Sequence, residues 1–123
     1  MIGPRSANAR RTDVDEARAA GNLLVTAREV HERGVGWVLD QLLPDASIFV
    51  SLDFDGLDPS VFPAVSAQAP GGLSPAEAAE LVGAIGPRLA GAVVTEYVPS
   101  LDESGASAAV AVRLLVHLMA ALG

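Results

Sequence analysis

The sequence predicts an α/β fold, a three-layer αβα arrangement with a doubly wound parallel sheet. Strand and helix patterns alternate along the chain, which is typical of parallel sheets with helical connections. The clearest strand, at 47–53, is almost continuously apolar, as a strand buried on both faces is. The chain has 123 residues, enough for one hydrophobic core but not for two. We therefore expect residues 1–123 to form a single domain.

Capping boxes predict three of the four helices. In this motif a hydroxyl side chain caps the first turn and an acidic side chain three residues later closes it. The boxes are Thr12 with Asp15, Thr26 with Glu29, and Ser74 with Glu77, the last holding Pro75 at the first helical position. The predicted helices are 13–20, a second from 27 that Gly34 and Gly36 break, 75–89 and, from its apolar composition, 107–122.

Short apolar runs bounded by turn residues predict the strands. They lie at 23–25, 47–53 and 92–97, and residues 2–5 suggest the remnant of another. The sequence therefore predicts three or four parallel strands with helices between them.

A proline-rich loop follows the second of these strands. Residues 59–73 include Pro63 and Pro70 but no charged residue, and frequent prolines stiffen a loop. We interpret it as a rigid rim over a site. Gly71 and Gly72 either let the backbone approach a ligand or form a plain turn.

The composition excludes several classes of function. The formal net charge is -7, the chain has no cysteine, and aromatic residues make up 4% of it. All eight basic residues are arginines, which excludes Schiff-base chemistry and a P-loop lysine. The acidity and the few aromatic residues argue against nucleic-acid binding. Any metal must be held by oxygen or imidazole ligands.

The same composition predicts where the protein acts. No secretory signal is visible at the start of the chain, and the absence of cysteine fits a reducing compartment. The most apolar segment, 106–122, is interrupted by Arg113 and His117 and is too short for a membrane span. We expect a cytoplasmic protein with no membrane partner.

Acidic residues follow two of the predicted strands. Asp53 and Asp55 close the strand at 47–53, and because alternate strand residues share a face, both carboxylates should enter one crevice. Carboxylate oxygens suit Mg²⁺ or Mn²⁺, and two such ions make a water-activating site. Glu96 ends the last strand and should lie at the same edge, where it suits a cationic substrate group. The alternatives are solvated carboxylates or turn caps for the aspartates and a surface ion pair for Glu96.

Other polar residues are assigned structural roles. Asp58 precedes Pro59 and is interpreted as a turn former rather than a third ligand. His31 lies in a predicted helix among acidic residues, and His117 lies in the apolar last helix. We expect both histidines to have structural or surface roles.

The strand-end segment resembles a signature of the ureohydrolases, the family of arginase, agmatinase, guanidinobutyrase and formimidoylglutamase. Its residues Ser51-Leu52-Asp53-Phe54-Asp55-Gly56-Leu57-Asp58-Pro59 match the pattern Ser-x-Asp-x-Asp-x-x-Asp-Pro. Pro63 and the segment 69–73 continue the match, and Glu96-Tyr97-Val98-Pro99 is similar to a later Glu-x-x-Pro segment of the family. The resemblance covers the whole chain as the C-terminal half of an agmatinase-like enzyme.

The resemblance implies a site and a reaction. Asp53 would bridge two Mn²⁺ ions, Asp55 would bind one of them, and Glu96 would face the substrate's guanidinium group. The implied reaction is hydrolysis of agmatine or a related guanidino compound to an amine and urea by a metal-bound hydroxide.

The family segments Gly-Gly-Asp-His and Asp-Ala-His-x-Asp, which supply the other ligands, do not occur in this sequence. We therefore expect the chain to be inactive by itself, and to form a homo-oligomer or to associate with a missing N-terminal half.

Two other functions remain open from the sequence. An apolar strand followed by Asp53-Phe54-Asp55-Gly56 also resembles the nucleophile motif of haloacid dehalogenase-like phosphatases, with Asp53 as nucleophile and Asp55 as acid and base. That family's threonine is replaced by Leu57, and no lysine is present to balance the phosphate. The other alternative is a non-catalytic remnant with a role in assembly.

Overall fold

Helices and parallel strands alternate in the structure, a computed structural model that describes residues 1–5 and 10–123. The helices are α1 (Arg11–Ala19), α2 (Ala27–Asp40), α3 (Pro75–Ala84) and α4 (Ala106–Leu122), and the strands are β1 (Ile48–Asp53) and β2 (Leu89–Thr95). Strands β1 and β2 pair in parallel, with Asp53 opposite Thr95. The predicted α/β class is confirmed.

Two of the three predicted capping boxes form as expected. The Glu29 N–H donates to Thr26 Oγ1 at 3.2 Å, and Glu29 Oε2 accepts the Thr26 N–H at 2.9 Å. The box of Ser74 and Glu77 is built in the same way at the start of α3. The box predicted at Thr12 is wrong, because α1 begins at Arg11, two residues earlier than predicted. The cap is Arg10, and the Asp13 carboxylate accepts the Arg10 N–H.

Backbone conformation explains the remaining differences in the helices. Helix α2 is kinked at Gly34, where φ is +81°, and continues through Gly36 to Asp40. Helix α3 ends at Ala84 rather than near residue 89, and a short 3₁₀ turn at Gly86–Arg88 leads into β2. Pro87 has no N–H to continue an α-helix. Strand β2 begins directly after this turn, at Leu89, three residues earlier than predicted.

The first predicted strands are reduced to a short ladder. Ile2 and Val25 form an isolated parallel bridge, in which the Gly3 N–H donates to the Val25 carbonyl at 2.8 Å. The ladder stops there because helix α2 begins at Ala27, two residues after Val25. Within the described residues the sheet therefore contains two strands, β1 and β2, fewer than the three or four predicted.

One face of the sheet packs on the helices, and the other is exposed. Leu52 and Val94 contact the core that α2, α3 and α4 build. On the opposite face, Phe49 is 66% exposed and Val93 is 43% exposed. Within the described part of the chain, no helix has the length and apolar character needed to cross a membrane.

An aromatic cluster joins the core to the carboxyl edge of the sheet. Phe54 and Phe62 are almost fully buried and stack with their ring centroids 4.6 Å apart. Tyr97 packs edge-on against Phe62 at 5.8 Å. These rings fix the segments that follow β1 and β2 against one another.

The loop after β1 returns to the end of that strand. Leu57 and Leu73 form a parallel bridge, with the Asp58 N–H bonded to the Leu73 carbonyl and the Leu73 N–H to the Gly56 carbonyl, both at 3.0 Å. A Cβ atom on Gly72 would lie only 2.4 Å from the Leu57 carbonyl carbon. Only glycine fits this position, because the neighbouring atoms are backbone and cannot move aside.

Substituting Gly72 should destabilise the fold. We expect Gly72→Ala to lower the free energy of unfolding by roughly 1–3 kcal/mol, the usual cost of forcing atoms into a packed site, as measured by urea unfolding. The matched control is Gly83→Ala in α3, where an added Cβ meets nothing within 4 Å. It should raise the free energy of unfolding by up to about 1 kcal/mol. Equal unfolding midpoints for the two variants would contradict the close contact.

Candidate acidic site at the carboxyl edge of the sheet

Three carboxylates lie where the two strands end. Asp53 is the last residue of β1, and Asp55 lies in the 3₁₀ turn Phe54–Gly56 that follows. Glu96 comes directly after Thr95, the residue paired with Asp53. The structure therefore places the three predicted site residues at one edge of the sheet.

Asp53 and Asp55 are neighbours for a different reason from the one predicted. The strand ends at Asp53, so Asp55 is held by a turn and not by strand alternation. Asp53 Oδ1 accepts the Asp55 N–H at 3.2 Å and caps that turn. Phe54 lies between them and points into the core, where it is 2% exposed. The buried ring anchors the turn that carries both carboxylates.

Electrostatics favour a cation at this position. The pKa of Asp55 is raised above its ordinary value, first by partial burial and then by the negative charge of Asp53, with Glu96 adding to the effect and Arg5 opposing it. The carboxylates thus repel one another in a partly desolvated place. A divalent cation, which prefers oxygen ligands, would relieve this repulsion.

The donor set fits part of a metal site. In the ranges 1–5 and 10–123, no group of three His, Cys, Asp or Glu side chains is arranged to hold a metal ion. Asp53 and Asp55 can supply carboxylate ligands, but an ion that takes six or more oxygen atoms needs further donors. His31 Nε2 lies 3.5 Å from the Glu77 carboxylate, and His117 is half-buried on α4.

Glu96 has an unusual backbone conformation. Its φ is +66°, and within the described residues it is the one non-glycine residue with positive φ. This left-handed conformation ends β2 at Thr95, two residues before the predicted end. Such backbone strain often occurs at functional sites. Ser66 Oγ, from the proline-rich loop, donates to Glu96 Oε2 at 3.0 Å and orients the carboxylate.

Asp58 braces the loop, as the sequence predicted. One carboxylate oxygen accepts the N–H and the hydroxyl of Ser60, and the other accepts the N–H groups of Gly71 and Gly72 at 2.7 and 3.2 Å. These hydrogen bonds, those from Ser60 above all, lower the pKa of Asp58 to about 2. The two glycines therefore contact Asp58 and neighbouring backbone and form a turn in this structure.

Sequence reasoning missed Arg5. Its guanidinium donates to the main-chain carbonyl oxygens of Asp55, Leu57 and Ala69 at 2.6 to 2.9 Å. Arg5 thus fastens both ends of the loop to the turn that carries Asp55. These partners are at least 50 residues away along the chain, and no local motif marks such a contact.

A second group of contacts ties the loop to the segment after β2 and to α4. The Val98 N–H donates to the Ala64 carbonyl at 2.9 Å, and the Ala64 N–H donates to Ser107 Oγ, which is fully buried, at 3.2 Å. Together with the bonds of Arg5 and Asp58, these contacts tie the proline-rich loop to the N-terminal segment, to the segment after β2 and to α4.

The fold and the site define a class: α/β proteins with acidic side chains gathered at the carboxyl edge of a parallel sheet. The sequence profile of the Arginase family matches residues 1–121, and the chain therefore belongs to the arginase family. The resemblance to ureohydrolases is confirmed, and family membership favours that prediction over the phosphatase alternative.

Several known proteins are similar to the chain. Proclavaminate amidinohydrolase of Streptomyces clavuligerus is 33% identical over 97% of this chain and 39% of its own length. Agmatinase of Chromobacterium violaceum is 32% identical over 73% of this chain and 29% of its own length. The crystal structure of formimidoylglutamase from Bacillus subtilis matches with a TM-score of 0.88 at 29% identity, over 98% of this chain and 40% of that one. The chain spans about two-fifths or less of the length of these relatives.

The strain at Glu96 can be measured by comparing two variants. Glu96→Ala and Glu96→Gly both remove the carboxylate and its bond to Ser66, but only glycine adopts positive φ without steric cost. We expect the glycine variant to have a free energy of unfolding about 1 kcal/mol higher than the alanine variant. Urea unfolding of the two proteins measures this difference. A more stable alanine variant would mean that residue 96 is not left-handed.

The bracing role of Asp58 predicts a pH dependence. The folded-state pKa of about 2 lies below the ordinary value, so the carboxylate stabilises the fold above about pH 4. That contribution should be lost as the pH falls through the folded-state pKa. We expect the stability difference between the wild type and Asp58→Asn to be constant above about pH 4 and to shrink towards about pH 2, in urea unfolding at each pH. A difference independent of pH would contradict the bracing role.

Proposed function

We propose that this chain supplies one part of the active site of a binuclear manganese ureohydrolase that acts on agmatine or a related guanidino compound. The observation that carries the proposal is the placement of Asp53, Asp55 and Glu96 at one edge of the sheet in a member of the arginase family. Products would be urea and the corresponding amine.

The proposal gives each acidic residue a role. Asp53 and Asp55 would hold the metal ions, and their mutual repulsion makes cation binding favourable. The chemistry that divalent ions would supply there is a lowered pKa of bound water, so that a nucleophile exists near neutral pH. Glu96 would accept hydrogen bonds from the planar guanidinium group, a match in charge and shape.

The rim would position and shield the substrate. Ser66 holds one oxygen of Glu96, which restricts the carboxylate to fewer orientations and reduces the entropy lost on binding a guanidinium. The loop is itself held by Arg5 and Asp58, so Ser66 is carried on a fixed segment. Residues 59–73 contain no charged residue, so no side chain of this loop competes with Glu96 for a cationic group.

We further propose that the site is completed by association. Two aspartates leave most positions around two metal ions to other ligands, and the relatives are at least twice as long as this chain. The missing donors would come from the rest of an arginase-family domain, with homo-oligomers of the completed unit as a further level of assembly. The relatives differ in the substrates that their names state, and agmatine is proposed because the strand-end segments resemble agmatinase-like members.

Urea release tests the proposal. The chain alone, with Mn²⁺ and agmatine, should release no urea. When it replaces the matching segment of the Chromobacterium violaceum agmatinase, the fusion protein should release urea. Asp53→Asn should then reduce turnover at least about 100-fold, since changes to groups that merely support metal ligands already cost 10- to 100-fold. Arginine and guanidinobutyrate, assayed in parallel, identify the preferred substrate.

The matched control in the fusion protein is Asp45→Asn, which changes an exposed aspartate before β1 and should leave turnover unchanged. Turnover that survives Asp53→Asn would contradict the metal role. Urea release by the chain alone, abolished by the same substitution, would contradict the need for association.

A further inference from the structure

Asp102 caps helix α4 from outside the helix. Gly105, which precedes the first helical residue, has no side chain to accept the free N–H groups of the first turn. The Asp102 carboxylate accepts two of these groups instead, from Ser107 at 3.2 Å and from Ala108 at 2.8 Å. Its negative charge is also favourable at a helix N-terminus. Asp102 therefore fixes the point at which α4 starts.

The same carboxylate holds Tyr97. The Tyr97 hydroxyl donates to Asp102 Oδ2 at 3.0 Å. The ring packs edge-on against Phe54 and Phe62, with centroids 6.5 and 5.8 Å away. Tyr97 directly follows Glu96, whose left-handed backbone persists only where the surrounding structure imposes it. Because both ends of the Tyr97 side chain are held, the main chain is fixed on one side of Glu96.

A second route leads from Asp102 to Ser66. Ser107, whose N–H is bonded to Asp102, accepts the Ala64 N–H through its buried hydroxyl oxygen at 3.2 Å. Ala64 lies two residues before Ser66 in the proline-rich loop. Ser66 in turn donates to Glu96 Oε2. Asp102 is thus linked through one route to the backbone at Glu96 and through the other to the group that orients its carboxylate.

The Asp102 carboxylate is charged in this network. Desolvation acts to raise the pKa of its carboxyl group, but the hydrogen bonds from Ala108, Ser107 and Tyr97 outweigh this effect, and the pKa is lower than its ordinary value. The negative charge strengthens each of these hydrogen bonds. Asp102 therefore serves as an acceptor for groups of its own chain.

We propose that Asp102 and Tyr97 are positioning residues for Glu96, and that together they set the direction of its carboxylate and its contact with Ser66. The consequence for turnover rests on the role proposed above for Glu96, whereas the contact is a property of this chain alone. A carboxylate held in one direction loses less freedom when it binds a guanidinium group. Loss of the Tyr97 hydroxyl would let the segment at Glu96 turn away from Ser66.

Carbon-13 NMR of the carboxyl groups in the isolated chain tests the positioning. The side-chain signal of Glu96 is assigned by its absence in Glu96→Gln. Ser66→Ala removes the hydrogen-bond donor and should shift this signal. Tyr97→Phe should shift it in the same direction, by at least half as much. This substitution removes only a hydroxyl group and keeps the ring in the aromatic cluster, so the fold should persist, and circular dichroism checks this.

The matched control is Ser104→Ala. Ser104 Oγ accepts the Ala106 N–H at 3.3 Å, so this hydroxyl also caps the first turn of α4. In the hydrogen bonds of the described chain it contacts neither Tyr97 nor Asp102. The control therefore loosens the start of the helix without breaking the link to Glu96, and the Glu96 signal should stay in place.

Turnover gives a second readout, in the fusion protein used to test the proposed function. We expect Tyr97→Phe to lower kcat/KM for agmatine about tenfold, since small misplacements of a binding group can cost up to about 100-fold. Ser104→Ala should leave kcat/KM unchanged. If the fusion protein released no urea but the isolated chain showed the expected NMR shifts, the proposed function would be contradicted and the positioning supported.

The positioning proposal would be overturned by any of several results. The Glu96 signal stays in place in Ser66→Ala or in Tyr97→Phe. It shifts equally in Tyr97→Phe and Ser104→Ala, which would mean that only the helix cap matters. In an active fusion protein, Tyr97→Phe leaves kcat/KM unchanged.

Discussion

The close contact between the backbone at Gly72 and the backbone at Leu57 and Asp58 is the constraint on which the site depends. It turns a long loop into a closed structure whose two ends meet at the carboxyl end of β1. Arg5 donates to the carbonyl oxygens of Asp55 and Ala69, one on each side of that contact. Asp58 accepts the Gly71 N–H. Without this closure, Ser66 would have no fixed position relative to Glu96.

The structure separates two kinds of aspartate that look alike in the sequence. Asp58 accepts four hydrogen bonds from its own loop, and the pKa of its carboxyl group falls to about 2. Its charge is already stabilised by the protein, so it has little to gain from a cation. The pKa of Asp55 moves the opposite way, because partial burial and neighbouring carboxylates disfavour its charged form. A carboxylate left in this condition is the one that a metal ion would stabilise, which supports the proposed role of Asp55 as a metal ligand and distinguishes it from Asp58.

Local signals in the sequence predicted the elements well and their ends less well. The boxes at Thr26 and Ser74 specify their helices because the interacting groups are three residues apart. The end of β2 depends on the left-handed backbone at Glu96, a residue type that rarely adopts positive φ. The roles of Arg5 and Ser66 depend on contacts across 30 or more residues, which no periodicity reveals. The proximity of Asp53 and Asp55 was predicted from strand alternation, although a 3₁₀ turn produces it.

Strand β1 pairs with β2 along one edge, and its other edge has no partner strand in the described part of the chain. This open edge and the incomplete ligand set meet at the end of β1. Ligands in parallel α/β sheets bind at the carboxyl ends of the strands, and β1 ends at Asp53. A strand from the rest of an arginase-family domain that paired in parallel with the open edge of β1 would lie about 4.8 Å away and would end beside Asp53 and Asp55. Its last residues would then be placed to add ligands to the same ion. An antiparallel strand would bring its first residues there instead, so the direction of the inserted strand determines which part of a partner sequence can complete the metal site.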